Sequence, residues 1–313
     1  MRTVPLGKTG VDVSVYCLGA MYFGTRNDPA TSYRMLDRYV DAGGSFIDTA
    51  NIYAWWVPGF RGGESELLLG EWLRERKSRN RIFLATKAGF QYDDVQIGLS
   101  AAQIEAECEK SLRRLGVDTI DLYYAHVDDR HTPQEESLAA FNRLVQAGKV
   151  RFIGASNFAA WRLAQAHALS ARHGWPEYVC VQQRFTYLRP KPGASFSPQL
   201  SANEELIDYC RSNQVTMLAY SSLLSGAYTR LDRPVPAEYA GPDADARLFA
   251  LSEVAAAHGV TANQVILAWL VQQQPAILPV MAASTDQQMQ ENLDALNLVL
   301  TPDELQRLET AGV

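Results

Sequence analysis

With 313 residues, 47% of them hydrophobic and 20% charged, the chain has the composition of a soluble globular protein able to bury a sizeable core. Its formal net charge of −6 and its lack of long Lys/Arg runs exclude the electrostatic footprint of a nucleic-acid binder. The opening MRTVPLGKTG has no charged segment leading into an apolar stretch, and no apolar run approaches the ~20 residues that span a bilayer. The expected compartment is therefore the cytoplasm, without secretion or membrane insertion.

In chain order, TVPLGKTGVDVS reads as a small hairpin with KTG at its turn. Eight β-rich runs follow: VYCLG at 15–19, SFIDTA at 45–50, RIFLATK at 81–87, IDLYYAH at 120–126, VRFIGAS at 150–156, YVCVQQ at 178–183, VTMLAY at 215–220 and AILPVM at 276–281. Segments of helical period separate them, among them ESELLLGEWLRER, SAAQIEAECEKSLRRLG and TPQEESLAAFNRLVQAG. Ser100 and Thr132 are the predicted helix N-caps, and Gly116 and Gly148 the predicted stops. This alternation predicts one domain over residues 1–313, an α/β fold of the (β/α)₈ TIM-barrel type with the hairpin closing the barrel floor. A doubly wound sheet would want a Gly-rich turn after its first strand, and no GxGxxG is present. Residues 221–245, SSLLSGAYTRLDRPVPAEYAGPDAD, form a connection too long for a mere link and of the kind that carries function. Cys17, Cys108, Cys180 and Cys210 lie far apart without CxxC spacing, so they read as reduced, buried thiols, and no metal site is expected.

In such a barrel the chemistry gathers at the C-terminal ends of the strands. Asp48 ends SFID, Lys87 ends FLATK, His126 ends DLYYAH, and Tyr53 follows Asp48 in the adjoining loop. Singly, a strand-end Asp is often a cap and a lone His a structural residue. Together the four make a chemical unit: a phenol to donate a proton, an ammonium beside it, a carboxylate to hold the ammonium, and an imidazole to orient a carbonyl. The phenol of Tyr has a pKa of about 10, and Lys87 is expected to lower that of Tyr53. A buried Lys would tend to lose its proton, so Asp48 is expected to pair with it.

GGSFIDTANIY followed by GGESELLLGEWL resembles the first signature of the aldo-keto reductase superfamily. RIFLATK, IDLYYAH, GKVRFIGASNF, LAYSSLLSG, QVILAWL and QENLDAL resemble its successive blocks in order, over nearly the whole chain. The resemblance implies that Asp48, Tyr53, Lys87 and His126 are the family tetrad, with Tyr53 the general acid in reduction and the general base in oxidation. It implies transfer of a hydride between the nicotinamide of NADP(H) or NAD(H) and a carbonyl or alcohol carbon. Ser156, Asn157 and Gln182 resemble the group that bonds the nicotinamide carboxamide, with Gln183 a near-equivalent. Tyr220 resembles the aromatic that stacks on the nicotinamide, and Ser221, Leu223 and Ser225 begin the loop over the pyrophosphate.

Two stretches depart from the pattern. PVMAASTDQQMQEN stands where many relatives carry an Arg or Lys for the 2′-phosphate of NADPH. Here Ser284, Thr285 and Gln288 offer only hydroxyls and an amide, with Asn292 toward the adenine, which weakens the expected preference for NADP and admits NAD. Arg230 and Arg233 in the long loop are the cations that would restore it. The loop AWWVPGFRGG places Trp55, Trp56 and Phe60 beside Tyr53, and Met21 and Tyr22 end the first strand. They are read either as a packed loop or as an aromatic wall for a carbonyl or sugar substrate. The expected activity is reduction of an aldehyde or ketone. The alternatives are an NAD-linked sugar or alcohol dehydrogenase and, more remotely, a cofactor-binding regulatory subunit with little turnover, and the oligomeric state is open.

Overall fold

The computed structural model describes residues 1–312. Two short antiparallel strands open the chain, β1 (Thr3–Pro5) and β2 (Asp12–Ser14), paired from Thr3↔Ser14 to Pro5↔Asp12. Eight parallel strands then close a barrel: β3 (Cys17–Gly19), β4 (Phe46–Asp48), β5 (Phe83–Ala88), β6 (Ile120–Ala125), β7 (Val150–Ser156), β8 (Tyr178–Arg184), β9 (Thr216–Tyr220) and β10 (Leu278–Met281). Each pairs with the next, and β10 returns to β3 through Val280↔Cys17.

The outer ring holds α1 (Pro29–Asp41), α2 (Glu64–Arg76), α3 (Ala101–Leu115), α4 (Gln134–Gln146), α5 (Ala160–His173), α6 (Glu204–Asn213), α7 (Ala244–His258), α8 (Ala262–Gln272), α9 (Asp286–Asp294) and α10 (Pro302–Thr310). None among the described residues is long and apolar enough to cross a membrane by itself. Their limits follow local chemistry. Asp28 caps α1 through the Thr31 amide with Pro29 in the first turn, Ser100 caps α3, and Gly116 ends α3 in the left-handed region at φ 63°. The predicted cap at Thr132 falls one residue short: α4 is preceded by Pro133 at the cap position, because proline's fixed φ leads directly into the first turn.

Strand alternation divides the core in two. Cys17, Phe46, Phe83, Ala85, Leu122, Tyr124, Cys180, Leu218 and Leu278 fill the barrel interior. Their neighbours Leu18, Ile47, Leu84, Tyr123, Ile153, Val181 and Met217 face the helices. Leu6 and Val13 of the hairpin pack into the interior cluster from below, so the hairpin closes the floor as expected. The four cysteines are free and buried. The long connection 221–245 folds into two single turns, Leu224–Gly226 and Ala237–Tyr239, packed on Leu188 and Phe196.

One interior position has no room for any side chain. A Cβ on Gly154 would stand 2.7 Å from the Tyr124 ring and 3.0 Å from Cys180 Sγ. Gly154→Ala is expected to cost about 1–3 kcal/mol through overpacking. Equilibrium denaturation checks this as a lower midpoint at unchanged slope.

Candidate active site

The parity that turns Phe46 and Phe83 into the barrel carries Asp48 and Lys87 to its mouth on the same inward face. Both side chains are fully buried, and Lys87 Nζ lies 2.5 Å from Asp48 Oδ2. The ammonium donates also to the Thr49 carbonyl at 2.8 Å and to the Tyr53 hydroxyl at 2.6 Å, so all three of its protons have acceptors. Asp48 Oδ2 further accepts the Tyr53 hydroxyl at 3.2 Å, and Oδ1 accepts Gln182 Nε2 at 3.0 Å. Removing either partner of a buried ion pair costs about 3–5 kcal/mol, because the other charge is left uncompensated.

Burial pulls the Lys87 pKa down, against the opposing pull of Asp48. The expectation for Tyr53 is corrected. Burial of the hydroxyl, reinforced by the negative charge of Asp48, pushes its pKa well above that of an ordinary phenol. The net shift is upward, because desolvation of the phenolate and then the Asp48 charge dominate it, the reverse of what proximity to Lys87 alone implies. Tyr53 thus holds its proton at rest.

His126 is 9% exposed and packs edge-on against Phe90, at 4.7 Å between ring centres, and Tyr53, at 6.1 Å. Burial, and next the Lys87 charge, hold its pKa well below the usual imidazole value, so the ring is neutral. Its Nδ1 is buried without a hydrogen-bond partner, a free polar atom in the mouth beside Tyr53.

The residues expected at the nicotinamide also come together. Ser156 pairs in register with Gln182. Asn157, held at φ 62°, donates to the His126 carbonyl at 3.0 Å and accepts the Tyr220 hydroxyl at 2.7 Å. Of the two glutamines, Gln182 turns inward, whereas Gln183 spends its amide on the Phe158 carbonyl. Gln182 also braces Asp48, a contact that sequence reasoning missed.

Beyond Tyr220 the chain turns through positive φ at Ser221, Leu224, Ser225 and Gly226. It borders a cavity of about 310 Å³ lined by Arg184, Ser221, Leu224, Ser225 and Arg233. Arg184 and Arg233 form no carboxylate pair among the described residues, whereas Arg230 is paired with Asp232 at 2.5 Å. Leu223 is half-buried at the start of this turn and does not line the cavity. The inward parity of Cys180, Gln182 and Arg184 was the signal that would have found Arg184.

In the segment expected at the adenosine, Thr285 caps α9 through the Gln288 amide, and the Gln288 side chain accepts the Ser284 amide at 2.8 Å. Asn292 is buried, bonding the Ala282 carbonyl. The segment has no cation of its own, yet α1 brings Arg34 to Asp286 Oδ2 at 3.1 Å and Arg38 to the Asp286 carbonyl at 3.0 Å. Those arginines lie some 250 positions away in sequence, which is why the local pattern hid them.

Of the aromatic loop, Trp55 and Trp56 are 36% and 42% exposed. Trp56 meets Tyr22 edge-on at 6.4 Å, and Arg26 lies 4.4 Å over the other ring. Met21 and Phe60 are half-buried. Among the described residues no cluster of three His, Cys, Asp or Glu side chains is placed to hold a metal ion.

A family model described as "Aldo/keto reductase family" matches residues 16–312. The chain is similar to uncharacterized oxidoreductase YrpG of Bacillus subtilis, 31% identical over 98% of this chain and 95% of the relative. It is similar also to norsolorinic acid reductase stcV of Emericella nidulans, 31% identical over 96% of this chain and 78% of the relative. Aryl-alcohol dehydrogenase GME11368 of Pestalotiopsis microspora is 27% identical, over 96% and 79%. The match runs from the first barrel strand through the last helix and takes in every strand end that bears a polar group at the mouth. The chain belongs to the aldo/keto reductase family of oxidoreductases.

Proposed function

We propose that the protein is an NAD(P)H-dependent carbonyl reductase acting on aromatic aldehydes or ketones, with Asp48, Tyr53, Lys87 and His126 as its catalytic group. The observation that carries the reading is the hydroxyl of half-buried Tyr53 standing 2.6 Å from a fully buried ammonium locked to Asp48. A nicotinamide dinucleotide fits the donor set around it. The Tyr220 ring, the Ser156, Asn157 and Gln182 side chains, and the Ser221–Ser225 turn beside Arg233 and Arg184, the latter bonded to the Gln199 side chain and neither to a carboxylate among the described residues, suit a planar amide followed by a diphosphate. When bound, that group supplies or accepts the hydride.

The chain's own residues do the acid–base work. Tyr53 delivers its proton to the carbonyl oxygen, and the Lys87 charge stabilises the phenolate left behind. Asp48, braced by Gln182, keeps that ammonium charged and pointed. Neutral His126 offers a ring N–H to the same oxygen without competing for the proton. Ser284, Thr285 and Gln288 would meet the adenosine ribose, and Arg34 is already committed to Asp286. We therefore expect NADH to serve alongside NADPH. Exposed Trp55 and Trp56, with Tyr22, form the substrate wall, in keeping with the norsolorinic acid and aryl-alcohol named for two relatives.

Nicotinamide absorbance with 4-nitrobenzaldehyde, offered NADPH and NADH separately, tests the reading. Tyr53→Phe should lower kcat by roughly 10²–10⁴-fold, the span of a lost general acid. Its cofactor affinity, read by fluorescence titration, should hold, and full activity in the variant would sink the assignment.

The pH profile follows from the two perturbed groups. Tyr53, with its pKa raised, is fully protonated through neutrality, and His126, with its pKa depressed, is neutral there. Reduction should run level from about pH 6 to about pH 9 and fall only as the phenol ionises, while alcohol oxidation, which needs the phenolate, should rise with pH. A steep loss of reduction between neutrality and pH 9 would contradict this.

Trp56→Ala should raise KM for aryl aldehydes by roughly tenfold, the equivalent of the ~1.5 kcal/mol an aromatic pair contributes. KM for a small aliphatic aldehyde such as propanal should be little changed, and an equal rise for both would remove Trp56 from the wall.

A further inference from the structure

Behind the catalytic group, outside the barrel wall, lies a second buried carboxylate that the mechanism does not use. Glu107 projects from α3 and is 2% exposed. Its Oε2 accepts the Asn51 side-chain amide at 2.7 Å and the Tyr92 hydroxyl at 2.5 Å. Its Oε1 accepts Lys110 Nζ at 2.7 Å. Three donors thus converge on one group, and only an ionised carboxylate offers acceptors on both oxygens and a donor on neither. Burial would raise the carboxyl pKa, but the bonds from Lys110, Tyr92 and Asn51 outweigh it and hold the group below its ordinary value.

Lys110 belongs to α3 itself, whereas Asn51 and Tyr92 come from the two loops that carry the proton donor and the wall of the imidazole. Asn51 stands two residues before Tyr53, and its backbone amide donates to the carbonyl of Lys87 at 3.2 Å. Tyr92 stands two residues after Phe90, whose ring supports His126 at 4.7 Å. Tyr53 and Phe90 both pack on the small apolar cluster of Ala50, Ile52 and Tyr92. Gly62, at the far end of the tryptophan loop, closes over the same point: a Cβ there would stand 2.7 Å from the Tyr92 ring and 3.0 Å from the Asn51 carbonyl.

We infer that Glu107 is a positioning residue for the proposed reduction, a buckle that fixes the loop bearing Tyr53 to the loop bearing Phe90 and so sets the phenol against His126. The inference rests on the reductase reading for its kinetic arm. Glu107 touches neither the mouth nor the tetrad, and it acts only through Asn51 and Tyr92.

The test compares Glu107→Gln, Tyr92→Phe and the double variant with Tyr123→Phe. The last is a control that loses an equally buried hydroxyl bond, to the Ile104 carbonyl at 3.2 Å, on the helix-facing side of the barrel. With 4-nitrobenzaldehyde, Glu107→Gln should lower kcat by about tenfold while KM and the fluorescence-read NADPH affinity stay within about twofold, as expected when reacting groups are slightly misplaced. The double variant should be no worse than Glu107→Gln, because both substitutions break one network. Tyr123→Phe should keep wild-type kcat. Hydrogen exchange read by mass spectrometry should rise across 49–62 and 88–99 in Glu107→Gln and stay at wild-type level across 178–184.

Wild-type exchange in both loops, or wild-type kcat in folded Glu107→Gln, would overturn the inference. So would a loss of cofactor affinity in step with kcat, which marks general loosening. A wild-type protein that reduces no aldehyde counts against the reductase reading alone, and the exchange pattern then decides for or against the buckle.

Discussion

The ammonium of Lys87 and the carboxylate of Asp48 are both wholly withdrawn from water, and the mouth of the barrel is arranged around satisfying them. A lone buried charge would give up its ionisation, so each requires the other together with a full set of hydrogen bonds. The ammonium finds three acceptors, and the carboxylate takes three donors. This arrangement holds the Tyr53 hydroxyl in place, because the phenol oxygen is one of the few groups able both to accept from Lys87 and to donate to Asp48. It also draws in Gln182 from the opposite wall of the barrel, tying β8 to β4 through side chains where no backbone ladder joins them.

Two devices make such a polar cluster tolerable at one end of an apolar barrel. The interior below it is filled by Phe46, Phe83, Leu122, Tyr124 and Leu218, and sealed from beneath by Leu6 and Val13 of the hairpin, so water has no second entry. Above it, the loops supply polar partners through backbone conformations that strands do not offer. Asn157 adopts the left-handed region to place its amide between the His126 carbonyl and the Tyr220 hydroxyl, and the turn after Tyr220 takes positive φ at Ser221, Leu224 and Ser225. Four of the left-handed non-glycine residues, Asn157, Ser221, Leu224 and Ser225, thus cluster where ligands are proposed to bind, while others such as Lys77 and Gln214 end helices.

Most of the fold and the polar strand ends were legible in the sequence, and for one reason. A strand of period two that ends at the mouth must show its inward parity in the chain, so Asp48, Lys87, Gln182 and Tyr220 are each marked by an interior apolar residue two positions before them, Phe46, Ala85, Cys180 and Leu218. Helix limits were equally visible at Ser100 and Gly116, where a side-chain cap or a left-handed glycine acts within one turn. At Thr132 the same rule missed by one residue, because Pro133 competes for the cap. The ionisation of Tyr53 was read with the wrong sign. Proximity to Lys87 can be inferred from the strand order, but the depth of burial and the shared oxygen of Asp48 cannot, and those two dominate.

By itself the sequence determined the order and period of the strands and helices, hence the barrel, the face on which each polar strand end lies, and the absence of a cation within 282–292. Tertiary structure alone decided which distant groups meet. It set Arg34 and Arg38 of α1 against Asp286, turned Arg184 and Arg233 onto one cavity, and brought Glu107 beneath Asn51 and Tyr92. Periodicity is a local property that repeats along the chain and leaves a record there. A contact between neighbouring units of a closed barrel is made by side chains that share no register in sequence, and it exists only once the ring has closed.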